Sequence, residues 1–401
     1  MKPAPNNDQR LTTNQQAKKT PAGIYIHVPF CLSKCPYCDF YSVTSLDIID
    51  EYIGAVITEL HLRRQDVEIV DTIYFGGGTP SILTPQQLEK ILGHLYHCFV
   101  VTDDAEITLE ANPGTVNRGD LSAYRSIGIN RLNIGLQSAT EETLRFLGRI
   151  HSAKQGIEMY QGAREVGFQN VGLDLMYGVP GQSLQSWESE LASVVKMEPE
   201  HLSCYTLTLE QGTSVANGVE TGKTCLPGEK MTAGLFSFTM AYLTANQYDH
   251  YEISNFARID STGCVDRRSR HNQKYWNFTP YLGFGPAAHS YQRNSRRWNH
   301  RSLDTYLTEL KIKKLPVAGR EILTCEQQMM ECVYLGLRQT KGIDIREFSL
   351  KFQVDSKNDF RTALRQLFNE DLLQNDAGRV YLTEKGFLFH EMVVRRLIEL
   401  I

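Results

Sequence analysis

The chain lacks any apolar run approaching the roughly 20 residues needed to cross a bilayer, and its first twenty residues, rich in Asn, Gln, Thr and Lys, hold no hydrophobic stretch of the signal-peptide kind. Arginine occurs there only once, at Arg10, which argues against an organelle-targeting peptide. Residues 1–20 therefore read as a disordered tail, and the protein as cytoplasmic. Basic charge is not in excess either. With 42 Lys and Arg against 46 Asp and Glu the net charge is −4 and the pI about 6.3, so no global field draws the chain to nucleic acid or to an acidic membrane surface. A disulfide framework is also missing. The nine cysteines are odd in number, and Cys98, Cys204, Cys225, Cys264, Cys325 and Cys332 show no paired spacing, which fits a reducing compartment.

What is present begins with alternation. From Gly23 to about Glu252 short β-rich apolar runs alternate with longer amphipathic ones, the pattern of βα units around a parallel sheet. The expected strands are Ile24–Val28, Thr72–Phe75, Ala105–Leu109, Arg131–Ile134, Val171–Leu175 and Leu202–Leu207. Six strands predict an α/β fold of the incomplete (β/α)6 TIM-like kind. Thr84-Pro85-Gln86-Gln87 reads as a capping box with proline at the first helical position, opening a helix to about His97. Residues 21–252 form this partial barrel, 253–319 a less periodic, Arg-, Asn- and aromatic-rich region facing haem or substrate, and 320–401 a C-terminal domain. In the last, helices at Glu326–Gln339, Ile345–Phe352 and Asp359–Asn369, a hairpin around Asp376-Ala377-Gly378 and a final helix predict a winged-helix-like α+β unit. Its 12 Lys and Arg against 13 Asp and Glu lack the basic footprint of a nucleic-acid binder, so a packing or lid role is preferred.

Three cysteines fall within eight residues, Cys31-Leu-Ser-Lys-Cys35-Pro-Tyr-Cys38, directly after the first strand. Thiolates favour zinc or iron–sulfur clusters, and four-iron clusters usually take four cysteines. A cluster on three thiolates leaves one iron open to a small chelator with an amine and a carboxylate, such as S-adenosylmethionine. The same triplet also reads as a zinc site completed by His27 or Asp39, or as three buried thiols without metal; on the triplet alone these readings stay open.

In a parallel barrel chemistry gathers at the carboxyl ends of the strands, and the polar outliers fall there: the cysteines after strand one, Gly76-Gly77-Gly78-Thr79-Pro80 after strand two, Glu110 ending strand three, Gln137-Ser138 after strand four, and Asp174 near the end of strand five. Glycines allow close backbone approach, a carboxylate can accept a ribose diol, and Arg149 offers a planar fork to a carboxylate. A lone glycine run is more often a tight turn, and each charge singly more often an ion pair. A second constellation is His271-Asn272-Gln-Lys-Tyr275-Trp276, followed by His289 and flanked by Arg267, Arg268, Arg270, Arg293, Arg296 and Arg297. It suits haem iron and its propionates, and equally an ordinary solvated loop.

Taken together, Tyr25-Ile-His-Val-Pro-Phe-Cys31, the C-x-x-x-C-x-x-C triplet, Gly76-Gly-Gly-Thr-Pro80, Glu110-Ala-Asn-Pro-Gly114, Ile134-Gly-Leu-Gln-Ser138 and Leu173-Asp-Leu-Met-Tyr-Gly-Val-Pro180 resemble the radical S-adenosylmethionine proteins related to oxygen-independent coproporphyrinogen III oxidase, from about Gly23 to the C-terminus. The resemblance is to their haem-chaperone branch, whose His-Asn-x-x-Tyr-Trp motif stands at His271 to Trp276. It implies a 4Fe-4S cluster on Cys31, Cys35 and Cys38, and S-adenosylmethionine contacts at Tyr25, Tyr37, Gly77, Gly78, Thr79, Glu110, Gln137, Arg149 and Asp174. It also implies haem at His271, with His289 a candidate ligand for the far face. The decarboxylases of this family carry a fourth cysteine where this chain has Phe40, so no catalytic residue is assigned.

The implied function is haem trafficking: binding haem and handing it to haem-accepting proteins, with transient membrane association and a homodimer compatible and no nucleic acid involved. The alternative is a radical enzyme on a tetrapyrrole, either the coproporphyrinogen III oxidation or anaerobic haem degradation. A weaker third reading is a structural zinc protein with a nucleic-acid-binding tail domain.

Overall fold

Each β-rich run has apolar side chains on alternate positions, and this period of two decides which way every strand faces. Ile24, Ile26 and Val28, then Ile73 and Phe75, Ile107 and Leu109, Leu132 and Ile134, Leu173 and Leu175, and Leu202 and Cys204 all join one buried cluster under the helices. The intervening positions, among them Thr72, Glu106, Thr108, Arg131, Asn133, His201 and Ser203, are buried but polar and face the lumen. The structure, a computed structural model, describes residues 20–260, 265–353 and 358–399. Of the expected tail, residues 1–19 lie outside the described residues, as does Cys264.

The six strands are β1 (Ala22–Val28), β2 (Ile69–Gly77), β3 (Val100–Ala111), β4 (Arg131–Gln137), β5 (Val171–Tyr177) and β6 (His201–Thr206), parallel and adjacent in chain order. Helices connect them, and the expected N-terminal signal is realised: Thr84 Oγ1 accepts from the Gln87 amide and Gln87 Oε1 from the Thr84 amide, opening Pro85–Cys98. The sheet grows at both flanks. A hairpin of β7 (Tyr248–Glu252) and β8 (Asn255–Arg258) pairs antiparallel with β6. On the other side β9 (Tyr281–Phe284) runs parallel to β1 and is followed by antiparallel β10 (His289–Gln292), β11 (Ser295–Asn299) and β12 (Val317–Ile322). The twelve strands end on β12 and β7, which do not pair with each other, so the barrel is incomplete. Residues 253–319 thus extend the sheet on both sides.

The helix Arg270–Trp276 reaches the amino-terminal end of the barrel. The Glu106 carboxylate accepts from the backbone amides of Arg270 and His271 at 3.1 and 3.0 Å, a side-chain cap supplied by the sheet itself. Cys325–Arg338 leads into β13 (Ile343–Asp344), and Ile345–Phe352 and Asn358–Asn369 then precede β14 (Leu373–Asp376) and β15 (Arg379–Leu382), the three strands pairing in the order β13-β15-β14. This is the winged-helix-like arrangement, with a hydrophobic core of its own around Val333, Leu337, Leu367 and Val393. Among the described residues no helix is long and apolar enough to cross a membrane.

Glu59, fully buried in the helix Ile49–Leu62, ties the added strands to the barrel. Its carboxylate accepts from Arg63 at 3.2 Å, Asn299 Nδ2 at 2.8 Å, the Gly285 amide at 3.0 Å and the Tyr306 hydroxyl at 2.8 Å. Replacing Glu59 by Ala leaves the buried Arg63 guanidinium without this partner, and removing one side of such a pair costs about 3–5 kcal/mol. Urea unfolding of Glu59→Ala is expected to show a loss of that size; a loss below about 1 kcal/mol would refute this role.

Candidate cofactor-binding site

The cysteine loop leaves β1 and is pinned at both ends. The Val43 amide donates to Pro29 and the Cys31 amide to Val43, at 2.7 and 3.0 Å, and within the loop the Cys38 amide donates to Cys35 at 3.1 Å. The glycine loop after β2 lies against it, with the Gly78 amide on Val28 at 2.8 Å and the Thr79 amide on Phe30 at 2.7 Å. A Cβ at Gly78 would fall 2.6 Å from the Phe30 carbonyl oxygen and 3.0 Å from Cys31 Sγ, so only glycine permits this approach. Gly77 adopts φ +113°, and a Cβ there would strike the His27 ring at 2.7 Å.

Cys31, Cys35 and Cys38 open on a cavity of about 560 Å³ at the carboxyl ends of the strands. Tyr37, Gly77, Gly78, Thr79, Glu110, Gln137, Arg149 and Asp174 line the same cavity. Tyr25, expected with them, does not. It lies one layer beneath, its hydroxyl hydrogen-bonded with His27 Nδ1 at 3.1 Å and its ring stacked on Tyr74 at 6.2 Å.

A polar relay crosses the floor. Arg149 donates to Cys35 Sγ at 3.5 Å and to Asn112 Oδ1 at 2.7 Å; Asn112 Nδ2 donates to Thr79 Oγ1 at 2.9 Å, and that hydroxyl to Cys31 Sγ at 3.6 Å. The Cys38 thiol is pushed up chiefly by desolvation. Opposite stands Glu110, accepting from Tyr74 at 2.8 Å and the Gly77 amide at 3.3 Å. Desolvation, assisted by the Asp174 charge, lifts the Glu110 carboxyl to about 7. Asp174 is raised as well, chiefly by desolvation, with Asn133 Nδ2 on its Oδ2 at 2.7 Å. Gln137 takes the left-handed conformation at φ +64°, where the β4–β5 register shifts. Asn112 and Tyr74 were not expected here. Asn112 follows Glu110 inside the Glu-Ala-Asn-Pro-Gly run, and Tyr74 has the inward parity of Thr72, so both signals lay in the sequence.

The residues fit the implied cofactors. Asp174 Oδ1 and Arg149 Nε are buried without a hydrogen-bond partner, one an acceptor and one a donor on the wall of the same cavity, as a ligand carrying both amine and carboxylate requires. The mononuclear zinc alternative fits less well. His27, one of the two residues expected to complete a zinc site, has its ring nitrogens on Tyr25 and on the Tyr41 carbonyl oxygen, the latter at 3.0 Å.

The expected haem residues lie elsewhere. His271 is fully buried at the other end of the barrel, with Nδ1 on Thr72 Oγ1 at 2.8 Å and Nε2 on the Tyr275 hydroxyl at 2.9 Å. Burial lowers its pKa to about 3, and neither nitrogen is free for iron. His289 lies over Trp298 with ring centres 5.9 Å apart. The arginines expected to meet propionates are engaged: Arg268 with Asp266, Arg270 with Asp71 and Asp104, Arg296 with Glu331, Arg297 with Asp66, and Arg267 with the Gln169 carbonyl oxygen.

A three-cysteine loop at the mouth of an incomplete parallel barrel defines a class. The family model of the radical SAM superfamily matches residues 25–193, and that of the HemN C-terminal domain residues 323–389. The heme chaperone HemW of Bacillus subtilis is 34% identical over 369 residues, covering 91% of this chain and 96% of the relative. That of Lactococcus lactis is 33% identical over 368 residues, covering 92% and 94%. In fold, the chain is similar to the coproporphyrinogen III oxidase HemN of Escherichia coli, with a TM-score of 0.82 and 23% identity over 96% of this chain and 91% of that one. The chain belongs to the HemW family of radical SAM proteins. The cofactors of this class are a 4Fe-4S cluster and S-adenosylmethionine.

Taking Glu110 as the ribose contact gives a pH dependence. The carboxylate, not the acid, accepts two hydroxyl donors, and its pKa of about 7 in the free chain makes binding tighten as pH rises. Equilibrium dialysis is expected to show affinity for S-adenosylmethionine increasing about tenfold from about pH 6 to about pH 8, with Glu110→Gln weaker and flat. An unchanged profile in Glu110→Gln would exclude the assignment.

Proposed function

We propose that this chain is a haem chaperone that binds haem and delivers it to haem-requiring acceptor proteins in the cytoplasm. The observation carrying this reading over tetrapyrrole chemistry is Phe40. Where decarboxylases of the resembling family place a fourth cysteine, this chain presents a phenyl ring that is 68% exposed at the cavity mouth. The cofactor cradle is kept while that thiol is missing. The family's chaperone relatives, similar over nearly the whole chain, support the same choice.

In this reading Cys31, Cys35 and Cys38 hold the cluster, and Tyr37, Gly77, Gly78, Thr79, Glu110, Gln137, Arg149 and Asp174 hold S-adenosylmethionine. Glu110 would accept ribose hydroxyls, Arg149 Nε would take a carboxylate oxygen, and Asp174 Oδ1 would accept from an amine. Tyr25 acts from beneath, fixing His27 and stacking on Tyr74, which in turn orients Glu110. When bound, the cluster with S-adenosylmethionine supplies low-potential one-electron chemistry. Residues 21–252 carry the cofactors, 253–319 complete the sheet, and the winged-helix-like residues 320–401 pack against them.

The test is transfer. The reconstituted, haem-loaded chain is mixed with an apo-haem protein, and the acceptor's Soret band is followed against free haem as control. The expected result is delivery of unmodified haem without consumption of S-adenosylmethionine. A modified porphyrin formed together with loss of S-adenosylmethionine would replace the chaperone by the enzyme.

A further inference from the structure

β4 opens on an arginine that faces the lumen and that neither the hydrophobic core nor the cofactor contacts use. Arg131 is 1% exposed, and its Nε and Nη1 are buried without a hydrogen-bond partner. Burying a charge in this state is unfavourable, and a guanidinium does not escape by losing its proton. The position therefore holds a permanent positive charge inside a lumen whose carboxyl and imidazole groups can each become neutral.

Strand register shows what surrounds it. Arg131 pairs with Thr108 on β3, and Thr108 stands midway between Glu106 and Glu110 on the same inward row. At about 3.3 Å per residue, each of those two positions lies roughly 7 Å along the strand from that level. On the other side, a Cβ at Gly172 would fall 3.5 Å from Arg131 Nη2 and 2.6 Å from Asn133 Oδ1. The missing side chain on β5 gives the guanidinium room below Asp174, which is next on that inward row. The cation thus stands between a lower carboxylate, Glu106, and an upper pair, Glu110 and Asp174. The lower one is engaged from beneath: Glu106 Oε2 accepts from the Arg270 amide and Oε1 from the His271 amide.

The other groups around Glu110 do not replace this charge. Tyr25, Tyr74, Tyr205 and Tyr275 face it from β1, β2, β6 and the helix Arg270–Trp276, and burial raises all four, so they stay neutral. Desolvation raises Glu110 and Asp174, each charge raises the other's neighbourhood further, and Arg131 opposes the shift in both. Arg149 also bears on Asp174, but from the cavity side, where it is held by Asn112 Oδ1 at 2.7 Å. We propose that Arg131 is a positioning residue for S-adenosylmethionine: placed between Glu106 and the Glu110–Asp174 pair, it keeps the upper carboxylates charged to receive the cofactor, while Glu106 beneath moderates its field. The inference rests on the cofactor contacts proposed above for Glu110 and Asp174. It gives the His-Asn-x-x-Tyr-Trp helix, whose amides hold Glu106, an electrostatic line to the cofactor cavity through one buried cation.

The experiment is equilibrium dialysis of S-adenosylmethionine against the full chain with its reconstituted cluster, from about pH 5.5 to about pH 8.5, for the wild type, Arg131→Met, Arg131→Lys, Glu106→Gln and Glu110→Gln. The cluster's charge is common to all five, so the readout is the difference in midpoint between them. A unit charge roughly 8 Å away at an effective dielectric of about 20 moves a carboxyl by at least about one unit. Arg131→Met is therefore expected to raise the midpoint by about one unit, weakening binding about fivefold at about pH 7 while leaving it within about twofold at about pH 8.5. Arg131→Lys, which keeps the charge, is expected to stay within about half a unit of the wild type. Glu106→Gln removes the opposing charge and is expected to lower the midpoint by about half a unit, tightening binding about two- to threefold at about pH 6. A merely structural arginine would weaken binding equally at every pH. A midpoint unmoved in Arg131→Met overturns the inference; should that variant not fold, a midpoint that fails to drop in Glu106→Gln overturns it. A wild-type profile that is flat, or that Glu110→Gln leaves unchanged, removes the Glu110 contact itself, and the role of Arg131 falls with it.

Discussion

Everything in this barrel depends on the parity of its strands. Apolar residues point outward under the helices, and inward positions carry Thr72, Tyr74, Glu106, Glu110, Arg131, Asn133, Asp174 and Ser203. A slip of one residue in any strand would turn its carboxylates into the helix layer and its leucines into the lumen. The burial of the outer face therefore fixes the register, and the register aims the functional groups. The same parity that seats Leu109 at 0% exposure places Glu110 on the cavity wall. Close approach of the two loops adds the last constraint. The Gly78 and Thr79 amides lie on the carbonyls of Val28 and Phe30, and the absence of a Cβ at Gly78 lets the second loop meet the first cysteine.

This explains why the cofactor end was legible and the other end was not. Period-two alternation, the Thr84 capping box and polar outliers after successive strands are local signals, and each of the six expected strands overlaps an observed one. The winged-helix order was readable for the same reason. Side-chain partners set at long range were not. His271 looks like a ligand because it sits among aromatics and arginines in sequence. In space Thr72, from a strand some two hundred residues earlier, takes one of its nitrogens and Tyr275 the other. Arg270 meets Asp71 and Asp104, and Arg297 meets Asp66, by the same kind of distant pairing. The extension of the sheet by β9 depends on a pairing with β1 that no local pattern announces.

The His-Asn-x-x-Tyr-Trp segment gains a physical role from these contacts. Its helix is capped by Glu106, its histidine stacks on Tyr74 at 5.2 Å, and Tyr74 holds Glu110. Trp276 lies under the Arg338 guanidinium and gives its carbonyl to Gln339. The motif therefore bridges the C-terminal domain and the inner face of the barrel.

The central claim is that three thiolates present a four-iron cluster with one iron open to S-adenosylmethionine in the cavity that Glu110, Arg149 and Asp174 line. Mössbauer spectroscopy of the chain reconstituted with iron-57, recorded with and without S-adenosylmethionine, addresses it directly. The account predicts that one iron site of the cluster changes its isomer shift on addition while the others stay put. A spectrum in which no site moves, or a chain that takes up zinc and no cluster, would contradict it.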